Sequence, residues 1–554
     1  MSKQPTREEQ AMREVGQTAV TPSCAAVLAA VFIMVMLSAG LIQSLGGRTP
    51  PWQPLVELGR DLRGALRQPV AAESVLGRGL TFNRRLLAAM HAWEAGLEDN
   101  SLLGQAIRPV VQYGLARWLG AGNEQAYCGR ERWLFYRPDV DYLIEPGFLD
   151  PARLARRRAN AHEWVALPQP DPRPALLDLQ AGLRDRGIEL LLLPVPAKPM
   201  VHPEKLAAAG AAMPPPPRNR SYERFMHDLR DAGLPVYDGA AELLKNAAAA
   251  APQYLATDTH WRPQALRLVA EDLARFIREW GVLPEQPPTA YNSVSLELAA
   301  QGDIAAMLRL PDGQDYYADE QVLLEQVRDQ DGLWQADPGA DVLVLGDSFA
   351  NIYSLESMGW GEAAGFVEHL SLALQRPLDR IAINDNAAYA ARALLQRELA
   401  RGRDRLAGKR LVIYQFAVRE LAGGDWRVLP LQVGQPTAAD FVRVAAGEEL
   451  RARAVVVAVS PAPRPGAVPY RDHLVSLHLA DVTGASEGAQ ALVYAWSMRD
   501  NVRQPAAGCR PGETVEVVLR AWDDVAAELD GLNRSELDDL ELQLQEPLWA
   551  AELQ

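Results

Sequence analysis

Asp341-Val342-Leu343-Val344-Leu345-Gly346-Asp347-Ser348-Phe349 carries the clearest buried-strand signal in the chain. Four consecutive apolar residues after Asp341 suit a strand covered on both faces, and they run directly into a glycine-containing turn. A serine in such a turn, at the C-terminal end of a parallel strand, sits at the sheet edge, where N–H groups of the next helix can face a developing oxyanion. Downstream, the pattern predicts a helix over 361–374, a strand over 381–384, a helix over 387–401 and a strand over 411–416. Upstream, a predicted helix over 172–186 leads into the apolar run 188–195. This alternation predicts an α/β domain, a parallel sheet with helices on its faces.

The second stretch that carries chemistry is Asp258-Thr259-His260-Trp261-Arg262-Pro263. It leads into a predicted helix over 264–280, with Leu266, Val269, Leu273 and Phe276 on one face and Pro263 in its favoured place at the helix start. In an Asp-x-His loop both side chains can turn the same way, so that the carboxylate fixes the imidazole tautomer and the other ring nitrogen faces a hydroxyl. With Ser348 as nucleophile, His260 as base and Asp258 as its orienting acid, the three supply what acyl transfer through a serine ester requires. Asp347 reads as a turn former. Lys198 follows the predicted strand 188–195, at the sheet edge where ligands sit, and reads either as a substrate-facing group or as a solvated loop lysine. No chemistry is assigned to the long connection 282–339.

With 554 residues the chain is too long for one core. Its 71 acidic against 56 basic side chains give a net charge of −15, which argues against a nucleic-acid-binding face. The run Ala25 to Ile42 carries no charge and, with its flanks, is long enough for a bilayer-spanning helix. The expected order is a cytoplasmic tail over 1–22, a single-pass N-in, C-out transmembrane anchor over 23–46, a helical membrane-proximal region over 47–120, the α/β domain over 121–430, and a small antiparallel β-sandwich-like domain with an acidic helical tail over 431–554. The last is read from alternating runs such as Leu492, Tyr494, Trp496 and Met498. Cys128 and Cys509 allow, without requiring, a disulfide. No spacing resembles a zinc site, so neither metal nor cofactor is expected.

Asp258-Thr259-His260-Trp261, Leu345-Gly346-Asp347-Ser348-Phe349, Trp133-Leu134-Phe135-Tyr136 and Gln415-Phe416-Ala417-Val418-Arg419-Glu420-Leu421 together resemble the alginate O-acetyltransferase (AlgJ/AlgX) family over roughly 127–426. The resemblance implies an SGNH-hydrolase-like (flavodoxin-like) parallel-sheet domain in which the Asp-x-His motif precedes the serine, as it does here. It implies a periplasmic enzyme that acetylates hydroxyls of an alginate-like or related exopolysaccharide. Its partners would be that polymer, a membrane-bound O-acyltransferase supplying acetyl groups, and other polymer-secretion proteins. Asn384 and Asn386 are candidates for the family's oxyanion asparagine, with a turn role as the alternative. Arg419 falls in the late motif, where a salt bridge at the sheet edge explains it equally well. Two other readings stay open: a secreted carbohydrate esterase using the same triad, and a non-catalytic polysaccharide-binding scaffold. Tyr470, Trp496 and Trp522 read as core residues of the β domain rather than as a sugar platform.

Overall fold

The structure is a computed structural model. It describes residues 21–45 and 102–553, apart from 160–167, 209–216, 249–250, 385–387, 401, 435–440, 464, 466–467, 469, 487, 538–541 and 543–544. Two units are distinguished, Met1–Tyr113 and Gly114–Gln554.

In the first unit the uncharged segment forms one helix, Pro22–Leu45. Its side chains from Val27 to Met34 that are large and apolar are exposed. Among the described residues no helix is long and apolar enough to cross a membrane, so the crossing expected over 23–46 is not carried by the structure. The expected tail and most of the expected membrane-proximal region lie outside the described residues.

The second unit is built on a parallel sheet. Its elements in chain order are α1 (Pro172–Arg184), β1 (Glu189–Val195), α2 (Pro263–Trp280), β2 (Val342–Gly346), α3 (Phe366–Leu374), β3 (Asp379–Ala382), α4 (Ala390–Ala400) and β4 (Leu411–Ala417). Strand order is β1-β4-β2-β3, all parallel, with Leu345 opposite Tyr414 in β4 and Ile381 in β3. Alternate residues divide between the two faces as the pleat requires. Leu191, Leu193, Val342, Val344 and Ile413 join a core with α2 and α3, whereas Leu190, Leu192, Leu343, Leu345 and Val412 join a core with α1 and α4. Burial on both faces explains why these strands read as continuous apolar runs. The chain goes from β2 outward to β3 and returns across β2 to β4, so the C-terminal ends of β2 and β4 flank a switch point, the crevice where such sheets bind ligands.

The connection 282–339, which carried no clear signal, contains an antiparallel hairpin, Asn292–Ala300 with Glu320–Arg328. Its first strand is mostly exposed, and the second seats Val322, Leu324 and Val327 on the core. Arg137 begins a short helix, Arg137–Ile144, and 234–238 meets the sheet through a single bridge, Leu192 to Val236.

The C-terminal region is a closed barrel rather than the expected sandwich. Strands β5 (Glu449–Val459), β6 (His473–Ala480), β7 (Ala491–Arg499), β8 (Thr514–Ala521) and β9 (Leu548–Leu553) follow the order β7-β9-β8-β5-β6, and β6 pairs β7 to complete the ring. Among these five strands the pairings are antiparallel except β7 with β9, where Tyr494 lies opposite Trp549. The acidic tail was expected to be helical, but its last residues return as β9 and fill the gap between β7 and β8. Closure removes the free edges that a small sandwich would expose. Cys128 and Cys509 are both free thiols.

Gly346 ends β2 where there is no room for a side chain: a Cβ there would lie 2.8 Å from Ala350 Cβ and 3.0 Å from Gln415 Oε1. Gly346→Ala is therefore expected to destabilise the chain by about 1–3 kcal/mol, the usual cost of overpacking, read as a lowered thermal midpoint.

Candidate active site

β2 delivers Ser348 to the switch point, and Asp347 fixes how it arrives. Asp347 caps the short helix Ser348–Asn351 by accepting from the Phe349 N–H at 2.9 Å. The same carboxylate accepts from Gln415 Nε2 at 2.6 Å and from the Ala417 N–H at 2.8 Å, both on β4, while the Asp347 N–H donates to Gln415 Oε1 at 3.1 Å. The ends of the two central strands are thereby clamped, and the Ser348 hydroxyl is left pointing out of the clamp.

The loop before α2 brings the other two groups. The Ser348 Oγ–H donates to His260 Nε2 at 2.8 Å, and His260 Nδ1 lies 2.7 Å from Asp258 Oδ1. A carboxylate only accepts, so Nδ1 carries the imidazole proton and Nε2 faces the hydroxyl as a base. The remaining capacity of Asp258 is filled by protein donors: Oδ1 also accepts from the His260 N–H, and Oδ2 from the Asp303 N–H at 2.9 Å and Trp360 Nε1 at 3.1 Å. The His260 ring packs 4.8 Å from that of Phe349, so the residue after the serine also sets the imidazole plane.

The loop itself is held from three directions. Lys198, fully buried, donates to the carbonyls of Leu134, Ala256 and Asp258 at 2.6, 2.8 and 2.9 Å. Glu320, on the hairpin, accepts from the N–H groups of Ala256 and Thr257 and from the Thr257 hydroxyl. Trp261 Nε1 donates to the Phe349 carbonyl, and the Tyr353 hydroxyl to the Trp261 carbonyl. Lys198 therefore does not face the cleft, which corrects its reading as a substrate-facing or solvated group. Its three protons find three carbonyls, and it positions the backbone of Asp258 from behind.

The charges explain the proton affinities. Burial disfavours the charged forms of both Asp258 and His260, but each stabilises the other, with Asp258 held below and His260 above its ordinary range. Asp303 has its Oδ2 3.9 Å from His260 Nδ1, and burial together with the charge of Asp258 pushes it up to about 7. Burial lowers Lys198 to about 8 despite the nearby charges of Glu320 and Asp258. Asp258, His260 and Asp303 offer ligand atoms within 4.8 Å of one another. Asp258 is filled by the protein donors above and Asp303 Oδ1 accepts from the Thr259 N–H at 2.7 Å, whereas Asp303 Oδ2 stands beside the imidazole at ion-pair rather than hydrogen-bond distance.

Ser348, His260, Asp258, Asp303, Asn384 and Arg419 all line one cavity of about 1280 Å³. Asn384 Oδ1 accepts from Asn351 Nδ2 at 2.8 Å, which turns its own amide nitrogen away from that contact. Asn386 lies outside the described residues. Arg419 stands between the Tyr136 and Phe349 rings and donates to buried Asp139 at 3.1 Å, so it is both a salt-bridge partner and a cleft residue. Tyr470, read as a core residue, is half-buried and lines the same cavity from the barrel side. Asp303, Glu320 and Trp360 were not singled out by the sequence, because they act through the fold and lie in no motif.

The sequence matches the family described as "ALGX: SGNH hydrolase-like domain, acetyltransferase AlgX" over residues 127–418. Relatives named "Probable alginate O-acetylase AlgJ" include one from Azotobacter vinelandii, 31% identical over 184 residues, covering 32% of this chain and 42% of the relative. Another, from Pseudomonas putida, is 30% identical over 250 residues, covering 41% of this chain and 59% of the relative. The chain thus spans about half the length of the relatives it matches. The solved O-acetyltransferase domain of Pseudomonas putida AlgJ aligns at 22% identity over 54% of this chain and 92% of that one, with a TM-score of 0.40. Pseudomonas aeruginosa AlgX aligns at 17% identity over 72% and 91%, with a TM-score of 0.41. With more than half of its residues inside the family match and the same region folded as a parallel α/β sheet, the chain belongs to the AlgX-type SGNH hydrolase-like acetyltransferase family.

Proposed function

We propose that this protein is an O-acetyltransferase that moves acetyl groups onto hydroxyls of an exopolysaccharide through an acetyl ester on Ser348. The observation that carries the reading is the continuous relay from Ser348 Oγ through His260 to Asp258, at 2.8 and 2.7 Å, opening into the large cleft. His260 Nε2 takes the serine proton as the hydroxyl attacks the acetyl carbonyl, and Asp258 stabilises the imidazolium without accepting its proton. The Phe349 and Ala350 N–H groups are taken up by Asp347, so the oxyanion is met by the Ser348 N–H and by the Asn384 amide. A sugar hydroxyl then enters and gives its proton to the same nitrogen. Alginate is the polymer named for the relatives, and it comes to this chain as part of the proposal. The proposal also keeps the periplasm as the place of transfer, and the charge-free helix Pro22–Leu45 as the element holding the enzyme to a membrane, on the sequence argument alone. A membrane-bound O-acyltransferase remains the expected source of acetyl groups, alongside other polymer-secretion proteins.

Ser348→Ala is expected to abolish turnover of a chromogenic acetyl ester while leaving the circular dichroism unchanged. Normal turnover by that variant removes the serine mechanism. Supplying an oligosaccharide and finding it acetylated by mass separates transfer from hydrolysis. Loss of an oxyanion donor typically costs about 10²–10³ in kcat, and Asn384→Ala is expected to fall in that range with KM little changed.

The pH profile has a definite sign. The base must be neutral, and its proton affinity is raised, so activity should fall as pH drops through a value above the ordinary histidine value of about 6.5. The negative charge of Asp303 contributes to that rise. Asp303→Asn keeps an acceptor for the Thr259 N–H but removes the charge, and it is expected to shift the acid limb of kcat/KM toward lower pH. An unshifted limb means that Asp303 does not act on the relay.

A further inference from the structure

Three arginines line the cleft among the described residues. Arg309 donates to the Pro465 carbonyl, and Arg471 is exposed on the barrel side. Arg419 differs from both, because it packs against the relay. Its guanidinium carbon lies 5.7 Å from the centre of the Phe349 ring, a ring that also packs 4.8 Å from the His260 imidazole, and 5.3 Å from the centre of the Tyr136 ring. Besides burial and Asp258, the charge of Arg419 bears on His260.

The guanidinium is held but not used up. A guanidinium carries five N–H donors, and among the described residues Arg419 makes one hydrogen bond, from Nη1 to Asp139 Oδ1 at 3.1 Å. Arginine and carboxylate commonly pair through two parallel bonds, yet here Asp139 Oδ2 is buried without a partner and Arg419 Nε and Nη2 have no protein acceptor. Neither of those nitrogens is sealed in the interior, and the side chain keeps 14% of its surface open in the cavity it lines. A largely desolvated cation with open donors is unfavourable unless an acceptor reaches it, and a bound anion would offset that cost. The two rings and Asp139 hold the fork in place before any ligand arrives, so little side-chain freedom is lost on binding. A planar fork fixed in this way suits a carboxylate. A polyuronate carries one on every ring, and the shared cavity of about 1280 Å³ exceeds the space that a drug-sized ligand fills.

We infer that Arg419 binds a carboxylate of the polyuronate acceptor next to the relay, and that it makes the enzyme select a charged glycan over a neutral one. The inference rests on the acetyltransferase reading and adds to it the group that recognises the charge of the polymer. Arg419 itself exchanges no atoms. In the transfer step the bond from Ser348 Oγ to the acetyl carbon breaks and a bond from the sugar oxygen to that carbon forms. The sugar proton passes to His260 Nε2 and from there to Ser348 Oγ.

The test measures, by mass, acetylation of an oligomannuronate and of its carboxyl-reduced form, the same backbone without charge. The full chain is used at about 150 mM salt, where surface charges reach only about 8 Å. The charged form should be preferred about 10–100-fold in kcat/KM, the range that hydrogen bonds to a charged group provide. Asp139→Asn/Arg419→Gln removes both charges together, and the preference should fall to below about threefold, chiefly through a raised KM for the charged form. Arg419→Lys keeps a cation for Asp139 without the fork, and the preference should fall part of the way. Each preference is a ratio within one variant, so a smaller fraction of active protein cancels. A natural chain that shows no preference, or prefers the neutral form, overturns the inference whatever the variants do. So does a variant with native circular dichroism that keeps the natural preference. Ester turnover with neither glycan acetylated, or no ester turnover at all, strikes instead at the acetyltransferase reading, and the inference falls with it.

Discussion

The carboxylate of Asp347 is the constraint on which the site depends. A parallel sheet leaves the C-terminal ends of its strands free to splay, and here one side chain ties β2 to β4 through Gln415 and the Ala417 N–H while capping the next turn. Gly346 permits that closeness, since any Cβ would collide with Ala350. Because the clamp uses both carboxylate oxygens, Asp347 is spent on structure and Ser348 alone is presented to the cleft. Leaving such buried donors without their acceptor would cost about 1–3 kcal/mol each, so the geometry of Ser348 and the stability of the sheet end are one property.

His260 is positioned by a different principle. The loop from Tyr254 to Trp261 has little regular structure of its own, and ionic side chains satisfy its backbone: buried Lys198 takes the carbonyls of Ala256 and Asp258 and ties them to that of Leu134, and half-buried Glu320 takes the N–H groups of Ala256 and Thr257. Buried charges are tolerable only when paired and hydrogen-bonded, and here the cation and the acids lie on opposite sides of the same loop. Asp303 adds a second carboxylate near His260, one whose own proton affinity lies close to neutrality.

How much of this could be read in advance follows from where each residue gets its position. Ser348, His260 and Asp258 were legible because each motif abuts a strong element, a buried strand in one case and an amphipathic helix in the other. The parallel sheet was legible for the same reason. Asp303 was not, because it arrives through a close approach of Gly302 to the Thr257 carbonyl, where a Cβ would stand 2.3 Å away, and no periodicity encodes that contact. Lys198 was misplaced because a lysine after a strand ordinarily faces water, and only the three converging carbonyls make its burial possible. The barrel was taken for a sandwich because its closure depends on Leu548–Leu553 pairing with strands far away in sequence.

The sheet and its clamp hold Ser348, and residues of the 301–319 segment and the barrel residues Tyr470 to Asp472 line the same cavity. In the proposed mechanism Ser348 itself carries the acetyl group between donor and acceptor. Peptide mass spectrometry on the full chain, quenched during turnover of an acetyl ester, is expected to find one acetyl group on the peptide containing Ser348, diminishing when an acceptor glycan is added. Turnover that proceeds with the acetyl group on another residue, or with none on the protein at all, would contradict it.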